Sequence, residues 1–202
     1  MRAHIEEVLQ YWFGDLDNGF ASPDRNRLWW GGDAESDRAV EALFGRQVRQ
    51  ALDGGLDHWA EHPRGRLALI ILLDQFTRMI FRGEAEAFSG DSKALTLCEA
   101  GLALQHDQVL ELSERTFFYM PLEHAESLEV QDRSIECFSA LLAEVPLEQR
   151  HHLETSLDFA HQHRDLIVRF GRFPHRNRAL NRSSTPEELA LLNSAHTPTW
   201  GQ

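Results

Sequence analysis

The chain has 202 residues and a mass of 23.2 kDa, with 42% hydrophobic and 26% charged residues and a formal net charge of -12. That length suits one domain, 1–202, around one core, and the acidic balance argues against a general nucleic-acid binder. The most apolar run, residues 67–73, falls far short of the roughly 20 residues a spanning helix needs, and the start lacks a cationic-then-apolar leader pattern. A cytoplasmic protein with no membrane partner is expected.

Hydrophobic periodicity predicts helices along most of the chain. Ile5, Val8, Leu9, Trp12 and Phe13 form a stripe at 3.6-residue spacing, and Gly14 ends it. Residues 15–32 read as a long loop pinned to the body by Phe20, Trp29 and Trp30. Val40, Leu43, Phe44 and Val48 mark a helix over residues 36–52, broken by Gly54-Gly55, and Trp59 lies in a short element after it. Pro63 suits the first turn of a helix running to about residue 81. It is apolar almost all round over its middle turns, which makes it the expected central helix.

A helix capped at Asp91 or Ser92 carries Ala94, Leu95, Leu97, Cys98 and Leu102. Helices over residues 113–119, 129–143 and about 146–170 follow, with Pro121 soon after the first of them. Ser184-Thr185-Pro186-Glu187-Glu188 supplies a cap, a first-turn proline and first-turn acids for a short helix ending near Leu192. The tail after His196 reads as extended. No strand hairpin and no βαβ alternation is evident, so an all-α fold follows. Consecutive antiparallel pairs with short joins fit a compact bundle or a curved stack of hairpins, and periodicity does not choose between them. Cys98 and Cys137 fall in apolar helical patterns and read as buried free thiols.

Three polar clusters bear on function. In the first, Asp74 lies one turn before Arg78, and Arg82 one turn beyond it on the same face. Asp74 follows the most apolar run, so it is expected to be buried and paired. It would orient an arginine of an anion clamp formed where the helix meets Gly83. In the second, Glu123 and Glu126 flank His124, without the paired-histidine spacing of zinc proteases. A metal there would need a ligand from elsewhere, with His163 and Asp158 as conceivable suppliers, and the reading assigns no metal and no cofactor. His163 sits at the edge of an apolar stripe, where a helix can present one polar group to a pocket.

The third cluster is Phe170-Gly171-Arg172-Phe173-Pro174-His175-Arg176-Asn177-Arg178. Six arginines against one acid lie between His163 and Arg182, whereas nine acids against two arginines lie between Pro121 and Phe159. Either the basic loop docks on those acids, or Arg172, His175 and Arg176 hold an external anion.

These stretches, together with Val8-Leu9-Gln10-Tyr11-Trp12-Phe13-Gly14, Leu73-Asp74-Gln75-Phe76-Thr77-Arg78-Met79-Ile80-Phe81-Arg82-Gly83 and Met120-Pro121-Leu122-Glu123-His124-Ala125-Glu126, carry a resemblance over nearly the whole chain. It resembles the bacterial domain-of-unknown-function family numbered nine hundred and twenty-four. The resemblance implies antiparallel helical hairpins stacked in a right-handed superhelix similar to the tetratricopeptide-like group. It implies no established activity and no catalytic residues.

The resulting expectation is a binding module for an anionic small molecule or peptide carboxylate. Its groove is assembled from Asp74, Arg78, Arg82, Glu123, His124, His163, Arg172, His175 and Arg176. The alternatives are a hydrolase of esterase or phosphatase type, metal-assisted or not, with His124 or His163 as base, and a purely structural or protein-interaction role. Nucleic acid is not an expected partner, and oligomeric state is not legible.

Overall fold

Many helices form near where the stripes and caps of the sequence place them, and a computed structural model describes residues 2–194. The elements are α1 (Arg2–Phe13), β1 (Leu16–Asp17), β2 (Phe20–Ala21), α2 (Arg25–Trp30), α3 (Ala34–Leu52), α4 (Pro63–Ile70), α5 (Thr77–Ile80), α6 (Asp91–Ala103), α7 (Leu112–Glu123), α8 (Leu128–Glu144), α9 (His151–Phe170) and α10 (Pro186–Leu192). The fold is all-α in the main. The extended tail expected after His196, and Trp200, lie outside the described residues.

The expected loop over residues 15–32 is instead a minimal hairpin followed by α2. Leu16 pairs with Ala21 and Asp17 with Phe20. Asn18 and Gly19 make the turn at φ 50° and 84°. An Asn-Gly pair with both φ positive matches the twist of a two-residue hairpin. The strands are too short to give an alternation that periodicity can detect.

The expected central helix is present, but a π-helical stretch, Ile71–Phe76, joins α4 to α5. All six of its residues are buried, Asp74 among them. Such wider turns cluster at functional sites. Gly90, just before α6, lies against this turn. A Cβ there would stand 2.1 Å from the Leu73 carbonyl oxygen, so only glycine lets α6 approach and present Asp91 to the rod.

α7 runs past the residue at which the sequence reading ends it. Pro121 is inside its last turn, and every residue from Ser113 to Glu123 is buried. Proline there forfeits one backbone bond. A capping box between Glu111 and Glu114 secures the other end, with the Glu111 N–H donating to Glu114 Oε2 at 3.0 Å. α7 packs on α8, α8 on α9, and α7 also touches α9. Short joins reverse the chain twice, so α7 and α9 run in the same direction. α9 stops at Gly171, whose left-handed φ of 68° turns the chain and whose N–H donates to the Ile167 carbonyl at 2.8 Å.

Candidate active site

The parallel run of α7 and α9 leaves a groove between them with a volume of about 1070 Å³. Ser113, Thr116, Phe117, Met120, Glu123 and His124 line it from α7. These positions recur at three- and four-residue steps and so form one helical face. His151, Thr155, Ser156, Phe159 and His163 line it from α9 by the same logic. The third wall is the N-terminal segment, with Phe20, Ala21, Trp29 and Trp30.

Aromatic contacts fix that third wall. Trp29 meets Phe117 edge-on at 4.7 Å between ring centroids, and Trp30 stacks on it at 5.9 Å. Phe117 also meets Trp12 at 5.3 Å and Phe13 at 5.6 Å, so the groove wall is continuous with the core. Trp29 Nε1 donates to the Trp12 carbonyl at 3.0 Å, and the Ala21 N–H donates to Ser113 Oγ at 3.0 Å. Trp29 and Trp30, expected to pin the segment to the body, therefore also serve as groove walls.

Glu123, His124 and His163 form the buried polar end of the groove. One donor atom from each lies within 4.8 Å of the others. His163 Nδ1 is 3.0 Å from Glu123 Oε1 and 2.9 Å from the Phe159 carbonyl oxygen. Both neighbours are acceptors, so Nδ1 carries the hydrogen. His124 Nδ1 lies 2.7 Å from Asp74 Oδ1, which fixes the same tautomer. Burial lowers the His124 pKa, and Arg78 lowers it further, against the opposing pull of Asp74. The ring is neutral at neutral pH and its Nε2 is available to a cation or a proton.

Glu123 Oε2 is sealed from water without a hydrogen-bond partner among the described residues. A buried carboxylate oxygen in that state is costly and calls for a partner such as a water or a cation. Two imidazoles and one carboxylate are the donor set of several catalytic zinc centres, which keep a fourth position open for water. Tetrahedral ligation with bonds of about 2.1 Å brings ligand atoms to about 3.4 Å apart. The three donor atoms already lie within 4.8 Å of one another. The donor set and the orphaned oxygen fit a divalent cation. Asp74 completes the carboxylate–histidine relay that orients such ligands.

Behind His124 lies a chain of charges. Asp74 is fully buried, and it accepts from Gln75 Nε2 at 2.5 Å and lies 3.3 Å from Arg78 Nη1. Burial works to raise its pKa, but Arg78 and His124 outweigh that and hold the carboxyl well below the usual range. Arg78 grips Asp91 through two bonds, at 2.8 and 3.0 Å. Arg176 donates to Asp91 at 3.1 Å and to the His124 carbonyl at 3.1 Å, sandwiched between Phe88 and Phe173. Burial and the nearby Arg78 push its pKa down to about 10.

The other arginines expected at an anion site are also engaged by the protein's own carboxylates. Arg82 holds Asp37 at 2.7 and 2.8 Å, and Arg172 holds Glu188 at 2.7 and 2.8 Å. Arg182 clasps Glu126, which also accepts the Phe173 N–H at 2.8 Å. The basic loop thus docks on acids. His175 stacks on Phe173 at 5.5 Å and, with Arg78 and Arg82, lines a second, smaller cavity of about 320 Å³. Of the residues expected at one site, Glu123, His124 and His163 converge on the main groove, with Asp74 behind them. Arg78, Arg82 and His175 face the smaller cavity, Arg176 braces the interior between the two, and Arg172 ties the loop to α10. Asp158, a conceivable ligand from sequence, is exposed on α9 and outside the trio.

Comparison with known proteins gives the chain relatives but no activity. The profile described as bacterial protein of unknown function (DUF924) matches residues 8–196. No curated protein matches it. A solved structure of a protein of unknown function from Agrobacterium tumefaciens is similar, with a TM-score of 0.80 at 34% identity, covering 95% of this chain and 98% of that one.

Proposed function

Because this chain belongs to the bacterial DUF924 family, for which no activity is described, its own side chains must carry the argument, and from them we propose a metal-assisted hydrolase. One observation carries it: Glu123, His124 and His163 meet at the buried end of an open groove, with Glu123 Oε2 unpartnered there. A divalent cation at this point supplies Lewis acidity and a more acidic water. The protein orients both imidazoles through their Nδ1 hydrogens and keeps Asp74 ionised behind His124. In the reaction, the water oxygen bonds to the substrate carbonyl carbon, the bond to the leaving group breaks, and one water proton ends on the leaving group.

The test is metal titration of the purified chain with Zn²⁺, followed by ester hydrolysis. The wild type should bind one ion per chain. Glu123→Gln should weaken binding at least about tenfold, because a neutral amide is a far weaker ligand than a carboxylate. Absence of both metal binding and hydrolysis in the wild type would refute the proposal.

A second reading keeps the anionic ligand and moves it to the smaller cavity, lined by Arg78, Arg82, His175 and Arg178. Arg178 is exposed there, in contrast to Arg176. Phosphate binding measured calorimetrically, and lost in Arg178→Ala, tests it. The proposal also takes the chain as one cytoplasmic domain of stacked, tetratricopeptide-like hairpins. It is supported by a single buried cluster running from Ile5 to Ala160 and by Cys98 and Cys137 as free thiols. One cooperative unfolding transition is the expected readout.

A further inference from the structure

We infer that the groove holds an extended aliphatic acyl chain, whose carbonyl lies at the Glu123–His124–His163 end. The inference rests on the hydrolase reading for the reaction but not for binding. Its first support is shape. From Ser113 to His124 the lining face of α7 covers eleven residue steps, or about 16 Å at about 1.5 Å per residue. The lining residues of α9, from His151 to His163, cover the same length alongside it. A hydrocarbon chain advancing about 1.3 Å per carbon fills that span with roughly twelve carbons. The remaining volume accommodates the leaving group.

The second support is chemistry along the groove. Between the trio and the far end the walls are Met120, Phe117 and Phe159, faced by Trp29 and Trp30. Two of the polar side chains on the α7 wall are already engaged. Thr116 Oγ1 donates to the Leu112 carbonyl at 3.1 Å, and Ser113 Oγ accepts from the Ala21 N–H. Two walls are helices, whose backbone groups bond within the helix, and that bond to Ser113 occupies the Ala21 N–H of the short hairpin. A peptide would find few main-chain partners for its amides. A phosphate ester is also a poor fit, because Arg27 is the single guanidinium among the described lining residues and is 79% exposed. An apolar chain with one hydrolysable carbonyl matches the walls and the polar end together.

The experiment uses the full chain and two probes. Binding of 1-decanol, read by tryptophan fluorescence in metal-free protein, requires no chemistry. Hydrolysis of p-nitrophenyl esters from acetate to dodecanoate is then measured with Zn²⁺ added. The expected result is saturable quenching by 1-decanol and at least a tenfold rise in kcat/KM from acetate to decanoate. Trp30→Ala, at a half-exposed position, should weaken 1-decanol binding about fivefold without altering metal content. Ser156→Trp lies seven residues before His163, about 10 Å along α9. It should abolish the gain in kcat/KM of the longest esters over acetate. No quenching, or hydrolysis that ignores chain length, would overturn the inference while leaving a hydrolase. Quenching with no hydrolysis of any ester would instead refute the hydrolase and retain the acyl-chain ligand.

Discussion

Replacing His175 with glutamine should make the protein less sensitive to mild acid. Burial, followed by the neighbouring Arg176, His163, Arg78 and His124, pushes the His175 pKa down to about 2. In the unfolded chain the ring titrates near about 6.5. Between those values the unfolded state binds the extra proton, so stability rises with pH and is lost as pH falls below about 6.5. From pH 7 to pH 5 the loss is set by the unfolded ring, because the folded one remains neutral. The gap of about 1.5 pH units at about 1.36 kcal/mol each gives about 2 kcal/mol. Asp74 and Glu188, both depressed, keep their full contributions at pH 5, which is above their unfolded values near about 4. Urea unfolding of wild type and His175→Gln at both pH values isolates the term. The variant should lose about 2 kcal/mol less than the wild type across that interval. Equal losses would mean that the ring takes up its proton in the folded state, and the reasoning about its cationic surroundings would fall.

Three substitutions test what holds the helices together. Asp91→Ala removes the shared partner of Arg78 and Arg176 and should cost about 3 kcal/mol in chemical denaturation, the usual scale for stranding buried charge. Gly90→Ala drives a methyl into the Leu73 carbonyl and should cost about 2 kcal/mol or more. Gly171→Ala meets nothing within 4 Å, so it should cost only the left-handed backbone term of about 1 kcal/mol.

Much of the helical plan was legible because stripes and caps act locally. Ile5 to Phe13 and the Thr185–Glu188 capping box are examples, and each carries its own instructions. The hairpin at Asn18-Gly19 escaped because two residues per strand show no period. The π turn escaped because a fully buried rod hides its phase. At the site, Asp74 could be foreseen as a buried carboxylate needing a partner, but not that His124 would be one. Asp74 and His124 stand fifty positions apart, a separation only tertiary packing closes. His163 was marked by its place at the edge of a stripe. The convergence of Glu123 with it depends on α7 and α9 running side by side, which no local pattern encodes. The arginine-rich loop left two readings open for an electrostatic reason: sequence counts charges but does not say which carboxylates neutralise them.

The π-helical stretch has a consequence for what this rod can tolerate. α4 is turned toward α1, α6 and α7, α5 faces α3, and the π stretch between them touches α3, α6 and α7. One surplus residue resets the angular phase between those two allegiances, and a straight cylinder of 3.6 residues per turn would aim one half wrongly. Loops absorb insertions and deletions by bulging into solvent. Here a lost codon would swing Asp74 and Arg78 through roughly a quarter-turn relative to their partners, so chain length between Ile71 and Phe76 is as binding a specification as any side chain within it.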